Sequence, residues 1–424
     1  MIGRLLRAKG EQRKLLFSLG TNFLTRVPGA VGVLWLLPLF RFGLGTEAYG
    51  TLLASGALAT ATTFLIGGFN VVGRRLIGEA YAENDRRGEA NGFASMLVAN
   101  TLCLLVGLVI ILAYCGIRGV SSEIIIISIL PAFGIFFTMF DNARSAYNEQ
   151  YVTATLQFVL QTTIFTIAFL VPATRQNLIL AALVLQGHYI LSSLITFGLL
   201  LRHRPYLFRG HAVTVWRVAR DGTMFALADG LLMTSLSLSV VWLQATASAT
   251  TSAWFATIVR LFQTFLVPVI LLLMPLSSYI RLRWNGKTLA QRQFFTKATL
   301  WIGLAYGTFV AAALMLVSTL YVNELLHLPA PGRWYEMMPV FLLFGAIVAY
   351  RGYSSVAYVV LDETTHLSFW TTVALTAAVT LGAISSFAID PLNVINVYAL
   401  VAALSMIFVL FWNVARFVRT SLPE

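Results

Sequence analysis

The stretch NGFASMLVANTLCLLVGLVIILA, residues 91–113, decides the fold: its 23 residues include no acid and no base. At about 1.5 Å of rise per residue a helix of this length crosses a hydrocarbon core of roughly 30 Å. Similar apolar blocks lie near 15–40, 47–73, 123–147, 153–172, 178–201, 221–245, 252–280, 297–320, 334–358, 367–389 and 393–415. Together they account for a chain of 424 residues that is 58% hydrophobic and only 11% charged. A soluble domain carries roughly 25% charged residues, and no water-soluble core could hide this much apolar surface. Inside a bilayer each segment has to satisfy its own backbone polar groups. The blocks are far longer than barrel strands, so the expected fold is all-α and integral to the membrane, with about twelve spans.

The net charge of +12 would suggest nucleic-acid binding in a soluble protein. Its distribution points elsewhere. Of 29 Lys and Arg residues, 22 fall in the two tails and in alternate connections, and only Arg41, Arg118, Arg175 and Arg333 lie on the opposite side. Cytoplasmic loops retain basic residues, so both termini are expected in the cytoplasm. The basic loop residues Arg202, Arg204, Arg209, Arg281 and Arg283 then set topology and meet anionic membrane lipids. The basic N-terminal tail imitates a secretory signal. However, the run 15–40 is too long for a signal core, lacks an A-x-A site and holds Asn22 and Arg26 in its middle. Cys103 and Cys115 read as isolated thiols.

A basic stretch at 202–220 divides the chain into two expected six-helix bundles, 1–201 and 221–424, with that stretch as a cytoplasmic linker. The halves are weakly similar: TEAYGTLLASG at 46–56 aligns with TSAWFATIVRL at 251–261, placing Tyr49 against Trp254 and Ser55 against Arg260. Transporter folds are often built from such repeats.

Three arginines fall inside spans: Arg26, Arg260 and Arg351. Placing Arg at a span centre costs about 2.5–3.5 kcal/mol on insertion scales, so each needs a partner or a function. Helical spacing sets Ser18, Asn22 and Arg26 on one stripe, Thr257, Arg260, Gln263 and Thr264 on a second, and Arg351, Ser354 and Ser355 on a third. Convergent stripes would form a cationic cavity. Asp229 is the one carboxylate well inside a span, and it reads equally as an ion-coupling site or as the counter-ion of Arg26. The remaining positive charge matches a diphosphate, which Arg binds in bidentate fashion. Asp141, Arg144, Ser145 and Asn148 share a face at the end of the fourth span and read as a salt bridge more readily than as a gate. Pro28 and Pro268 are candidate hinges or static kinks.

Enzyme motifs fail. Gly286-Lys287-Thr288 ends like a phosphate loop, but the earlier glycine it needs is Arg281. There is no H-E-x-x-H and no D-x-D, and the expected site holds neither a metal nor a cofactor. The chain is therefore expected not to be an enzyme.

RFGLGTEAYG at 41–50, GGFNVVGRRL at 67–76 and WFATIVRLFQTFLVPVILLLMPLSSYI at 254–280 resemble the bacterial polysaccharide flippases of the O-antigen (Wzx) type. That resemblance implies an alternating-access transporter that turns a polyprenyl-diphosphate-linked oligosaccharide from the inner to the outer leaflet for surface polysaccharide assembly. It implies membrane lipids, a polysaccharide polymerase and glycosyltransferases as partners, and no nucleic acid. It implies a bacterial inner membrane and assigns the diphosphate to Arg26 and Arg260; the polar stripes themselves add Arg351 to the expected cavity, with Asn22, Gln263, Tyr49 and Trp254 as candidate glycan contacts. Two rivals remain. A multidrug exporter of the same superfamily would favour buried carboxylates over arginines, and a membrane glycan polymerase or ligase would need a sizeable outward loop.

Overall fold

The computed structural model describes residues 20, 32–147, 149–227, 231–284, 288–333, 335–360 and 390–420. Side chains are described over most of this range, the segments 267–284 and 352–360 excepted. Within it the chain is helical and holds no strand, as the apolar blocks require. The helices are α1 (Gly32–Leu44), α2 (Thr46–Thr62), α3 (Leu65–Ala82), α4 (Arg86–Arg118), α5 (Ser122–Ser145), α6 (Gln150–Leu170) and α7 (Leu178–His203). They continue with α8 (Val215–Phe225), α9 (Leu231–Thr246), α10 (Ala249–Trp284), α11 (Leu289–Val317), α12 (Met338–Val360) and α13 (Pro391–Thr420). Six of these segments are long and apolar enough to span a membrane, and the pair α2–α3 makes a seventh. The expected eleventh span, 367–389, lies outside the described residues.

The deciding stretch sits inside α4. Asp85 caps the helix by accepting from the Arg87 N–H at 3.1 Å, and Gly119 ends it in the left-handed region at φ 60°. Its 33 residues reach about 50 Å. The polar first turns, Arg86 to Asn91, therefore project past the hydrocarbon. Along the apolar part Ala99, Cys103, Leu104 and Ile111 pack inward, whereas Leu102, Leu105, Val106 and Val109 are more than half exposed. Such a face is stable only against lipid.

Asn100, the strong polar residue in this run, is fully buried and donates to Asn70 of α3 at 2.8 Å. Asn70 in turn donates to the Thr138 hydroxyl of α5 at 3.2 Å. One amide chain thus ties three helices in a medium where unpaired polar groups are costly.

The second expected span, 47–73, is instead two helices, α2 and α3, bent by 52°. The cause is local. Thr60, Thr62 and Thr63 turn their hydroxyls back on the carbonyls of Gly56, Leu58 and Ala59, a competition that bends helices. Beyond the bend Gly68 meets Gly222 of α8 so closely that a Cβ at Gly68 would overlap the Gly222 carbonyl.

The chain separates into two compact units, Met1–Ala226 and Leu227–Glu424. The stretch 202–220, expected as a linker, is folded within the first unit. A 3-10 turn at Pro205–Arg209 lies on α4 and α8 packs on α3. In the second unit α11 and α12 pair through small residues. Gly303 and Gly307, one turn apart in GLAYG, face Gly345 and Ala349, and a Cβ at Gly307 would overlap the Gly345 carbonyl. Phe262 of α10 stacks on Phe344 of α12 at 4.4 Å.

Candidate substrate site

Over residues 253–266 helix α10 buries most of its apolar residues and leaves one polar strip accessible. Trp254, Ile258, Leu261 and Phe262 are fully buried, while Arg260, Gln263 and Thr264 remain partly accessible. This reverses the pattern of α4, which shows Leu and Val outward. A strip of this kind belongs against protein or water and not against hydrocarbon.

Arg260 donates to the Gln263 side-chain oxygen at 3.2 Å, and its own carbonyl accepts from the Thr264 hydroxyl at 3.3 Å. No carboxylate lies within ion-pair distance of Arg260 among the described residues. Thr257, the first member of the expected stripe, is instead fully buried, its hydroxyl turned back on the Ala253 carbonyl at 2.7 Å.

Arg351 lies in α12, half-buried, on a helix that packs against α10. The side chains of Ser354 and Ser355 are not described. Asn22, Arg26, Pro28 and Asp229 lie outside the described residues, so the structure brings together only Arg260 and Gln263 of the expected set. Backbone helix runs unbroken through Pro268.

Two expected sugar contacts are corrected. Tyr49 and Trp254 are wholly buried, and the Trp254 indole N–H donates to Asn323 at 3.1 Å. Both are core residues, and sequence repetition between the halves marks a shared packing position.

At the fourth-span cluster the expected salt bridge is present, with Glu149 from outside the stripe as its acid. Asp141 accepts from the Ser193 hydroxyl at 2.7 Å, whereas Arg144 pairs with Glu149 at 3.1 Å. Glu149 also receives a two-pronged contact from Arg204, at 2.8 and 3.3 Å, and the Arg204 guanidinium lies 3.7 Å from the Tyr147 ring centroid. Arg204 is therefore a packing residue and not a lipid contact.

Burial alone would raise the Glu149 carboxyl, but the hydrogen bonds and charges of Arg204 and then Arg144 outweigh it and hold it below its ordinary value. Because the folded state favours ionised Glu149, its stabilising contribution is complete above the ordinary carboxylate value of about 4.3 and is lost as pH falls through the lower folded value. Thermal unfolding of wild type and Glu149→Gln should thus differ by a constant amount above about pH 5 and converge below about pH 4. A difference that stays constant to pH 3 would remove the ion pair from the account.

Beside this cluster Glu89, buried in the first turns of α4, accepts from the hydroxyls of Tyr147 at 2.7 Å and Tyr206 at 2.8 Å. Connections that charge counting assigns to one side of the membrane meet here. The partners lie 58 and 117 positions from Glu89, which is why no local pattern revealed them. No group of three or more His, Cys, Asp or Glu side chains able to hold a metal occurs among the described residues.

No family model matches the chain, and no curated protein does. Solved structures do. An inward-facing multidrug-resistance MATE-family transporter of the MOP superfamily matches with a TM-score of 0.63 and 15% identity, over 94% of this chain and 99% of that one. An outward-facing multidrug-resistance MATE-family transporter of the same superfamily matches with a TM-score of 0.63 and 14% identity, over 98% of both chains. A MOP-superfamily transporter from Pyrococcus furiosus, described as having a binding pocket of reversed polarity that suggests a different function, matches with a TM-score of 0.58 and 14% identity, over 99% of this chain and 98% of that one. At such identities the likeness shows the fold. The chain is a multi-pass membrane protein with the fold of the MOP-superfamily transporters, and the neighbours are transporters, not enzymes.

Proposed function

We propose that the protein is an alternating-access transporter that moves a polyprenyl-diphosphate-linked oligosaccharide from the inner to the outer leaflet of a bacterial membrane. The observation that carries this reading is Arg260, a half-buried cation in a membrane helix, held by Gln263 and unmatched by any carboxylate among the described residues. A cation so placed favours an anionic cargo, and its planar fork suits a phosphate. Arg351, Arg26 and Asn22 are further candidate cargo contacts in this reading, Asp229 is a candidate coupling site, and glycosyltransferases and a polymerase act before and after the transporter. Solved relatives of the fold in both inward-facing and outward-facing forms support the two-state cycle.

The rival within the fold is export of cationic drugs, favoured by the multidrug transporters among the structural neighbours. Cargo charge separates the two. Purified protein in liposomes should expose a labelled polyprenyl-diphosphate oligosaccharide on the opposite leaflet and should not exchange a cationic dye against protons. Dye exchange with no glycolipid transfer would replace the flippase with the drug exporter.

A further inference from the structure

Within the first unit a second basic site has no part in cargo binding as argued above. At the polar N-terminus of α4 a concave pocket of about 350 Å³ is lined by Arg86, Arg87, Asn91, Tyr206, Arg209 and His211. We propose that this pocket binds the phosphate headgroup of an anionic phospholipid.

Its wall is built and not incidental. The backbone at Gly210 lies so close to the Ala90 carbonyl that a Cβ would overlap it. The His211 N–H donates to Asn91 at 2.9 Å, and Thr214 donates to the Ser95 hydroxyl through its N–H at 3.1 Å and its own hydroxyl at 2.8 Å. These contacts strap residues 205–214 to α4 and hold Arg209 and His211 across from Arg86 and Arg87.

Charge is left over. Arg86, Arg87 and Arg209 outnumber the two carboxylates of the α4 N-terminus, Asp85, which accepts from the Arg87 N–H, and Glu89, which accepts from two phenols. Arg86 lies 5.7 Å from the Tyr206 ring centroid, and none of Arg86, Arg87 or Arg209 has a carboxylate within ion-pair distance among the described residues. The positive end of the α4 dipole adds to the field. A phosphate would gain forked donors from more than one side.

The neighbouring surface selects a lipid over a soluble anion. Val213, near the end of the strap, is 70% exposed, and Trp216, in the first turn of α8, is 78% exposed. Exposed Trp is at home at headgroup depth, with apolar neighbours below and cations above. The basic pocket and this apolar edge are continuous in sequence, as a headgroup and its acyl chains would require.

Full-length protein in neutral detergent–phosphatidylcholine micelles, titrated with phosphatidylglycerol, tests this through unfolding temperature and through lipid adducts in native mass spectrometry. Wild type should gain stability and retain bound phosphatidylglycerol, and the double variant R86Q/R209Q should lose roughly 30-fold in apparent affinity. The double variant R217Q/R220Q, which removes two exposed arginines of α8 that do not line the pocket, should bind like wild type. Equal losses in both double variants would reduce the effect to general surface charge, and binding unchanged in R86Q/R209Q would overturn the site. Full stabilisation by millimolar glycerol phosphate would assign the pocket to a soluble anion and overturn the lipid. Cargo transfer is not the readout, so failure here leaves the flippase reading standing.

Discussion

Arg260→Leu is expected to cut glycolipid transfer by roughly 30- to 150-fold while leaving the fold as stable as wild type or more so. The two effects have opposite signs because they draw on different terms. An unpaired arginine inside a span costs about 2.5–3.5 kcal/mol on insertion scales, and leucine removes that cost. Against this, the Gln263 oxygen loses one donor, worth about 1 kcal/mol. Loss of a desolvated charge contact to the cargo is worth about 2–3 kcal/mol, or roughly 30- to 150-fold in transfer rate. Arg260→Lys keeps the charge but not the planar fork, so its transfer should fall between those of wild type and Arg260→Leu. Transfer assays in liposomes and unfolding in detergent, run on the same preparations, read both terms. Wild-type transfer by Arg260→Leu would remove Arg260 from the cargo path. A large fall in its unfolding temperature would make Arg260 half of a structural ion pair.

What the sequence revealed of this molecule was what depends on neighbours along the chain. Continuous apolar blocks implied membrane helices because backbone satisfaction in lipid is a local requirement. The Arg260–Gln263 contact follows from i,i+3 spacing alone. The bend between α2 and α3 was also legible in principle, since Thr60, Thr62 and Thr63 are clustered before two glycines, but the unbroken apolar content of 47–73 concealed it. Tyr49 and Trp254 were misread because pseudo-repetition preserves packing positions as readily as binding ones. The Glu89–Tyr147–Tyr206 and Glu149–Arg204 contacts join residues more than fifty positions apart, and only assembled helices bring them together. For the same reason the sequence assigns Arg202, Arg204 and Arg209 alike to topology and to contact with anionic lipid. A loop arginine looks alike in sequence whether it is stacked on a ring, as Arg204 is, or lines a pocket, as Arg209 does.

Gly307→Val should destabilise the second unit strongly, and the reason lies in how membrane helices attract one another. Lipid tails are as apolar as leucine, so α11 and α12 gain little by hiding apolar side chains from lipid. Their association depends on close backbone approach, which Gly303 and Gly307 permit against Gly345 and Ala349. A valine at 307 would drive its branched side chain into the Gly345 carbonyl, where no flexible group can yield. Overpacking of this kind costs about 1–3 kcal/mol, and more where backbone has to separate. Gly198→Val supplies the internal control. It is the same change in helix α7, at a position where a new Cβ meets nothing within 4 Å, so it carries only the modest helix-propensity difference. Unfolding in detergent should show Gly307→Val melting several degrees below wild type and Gly198→Val close to it. Equal melting of the two variants would mean that this helix pair is held by something other than its glycine contact. In that case the close packing of α11 on α12 would be a consequence of the fold and not one of its causes.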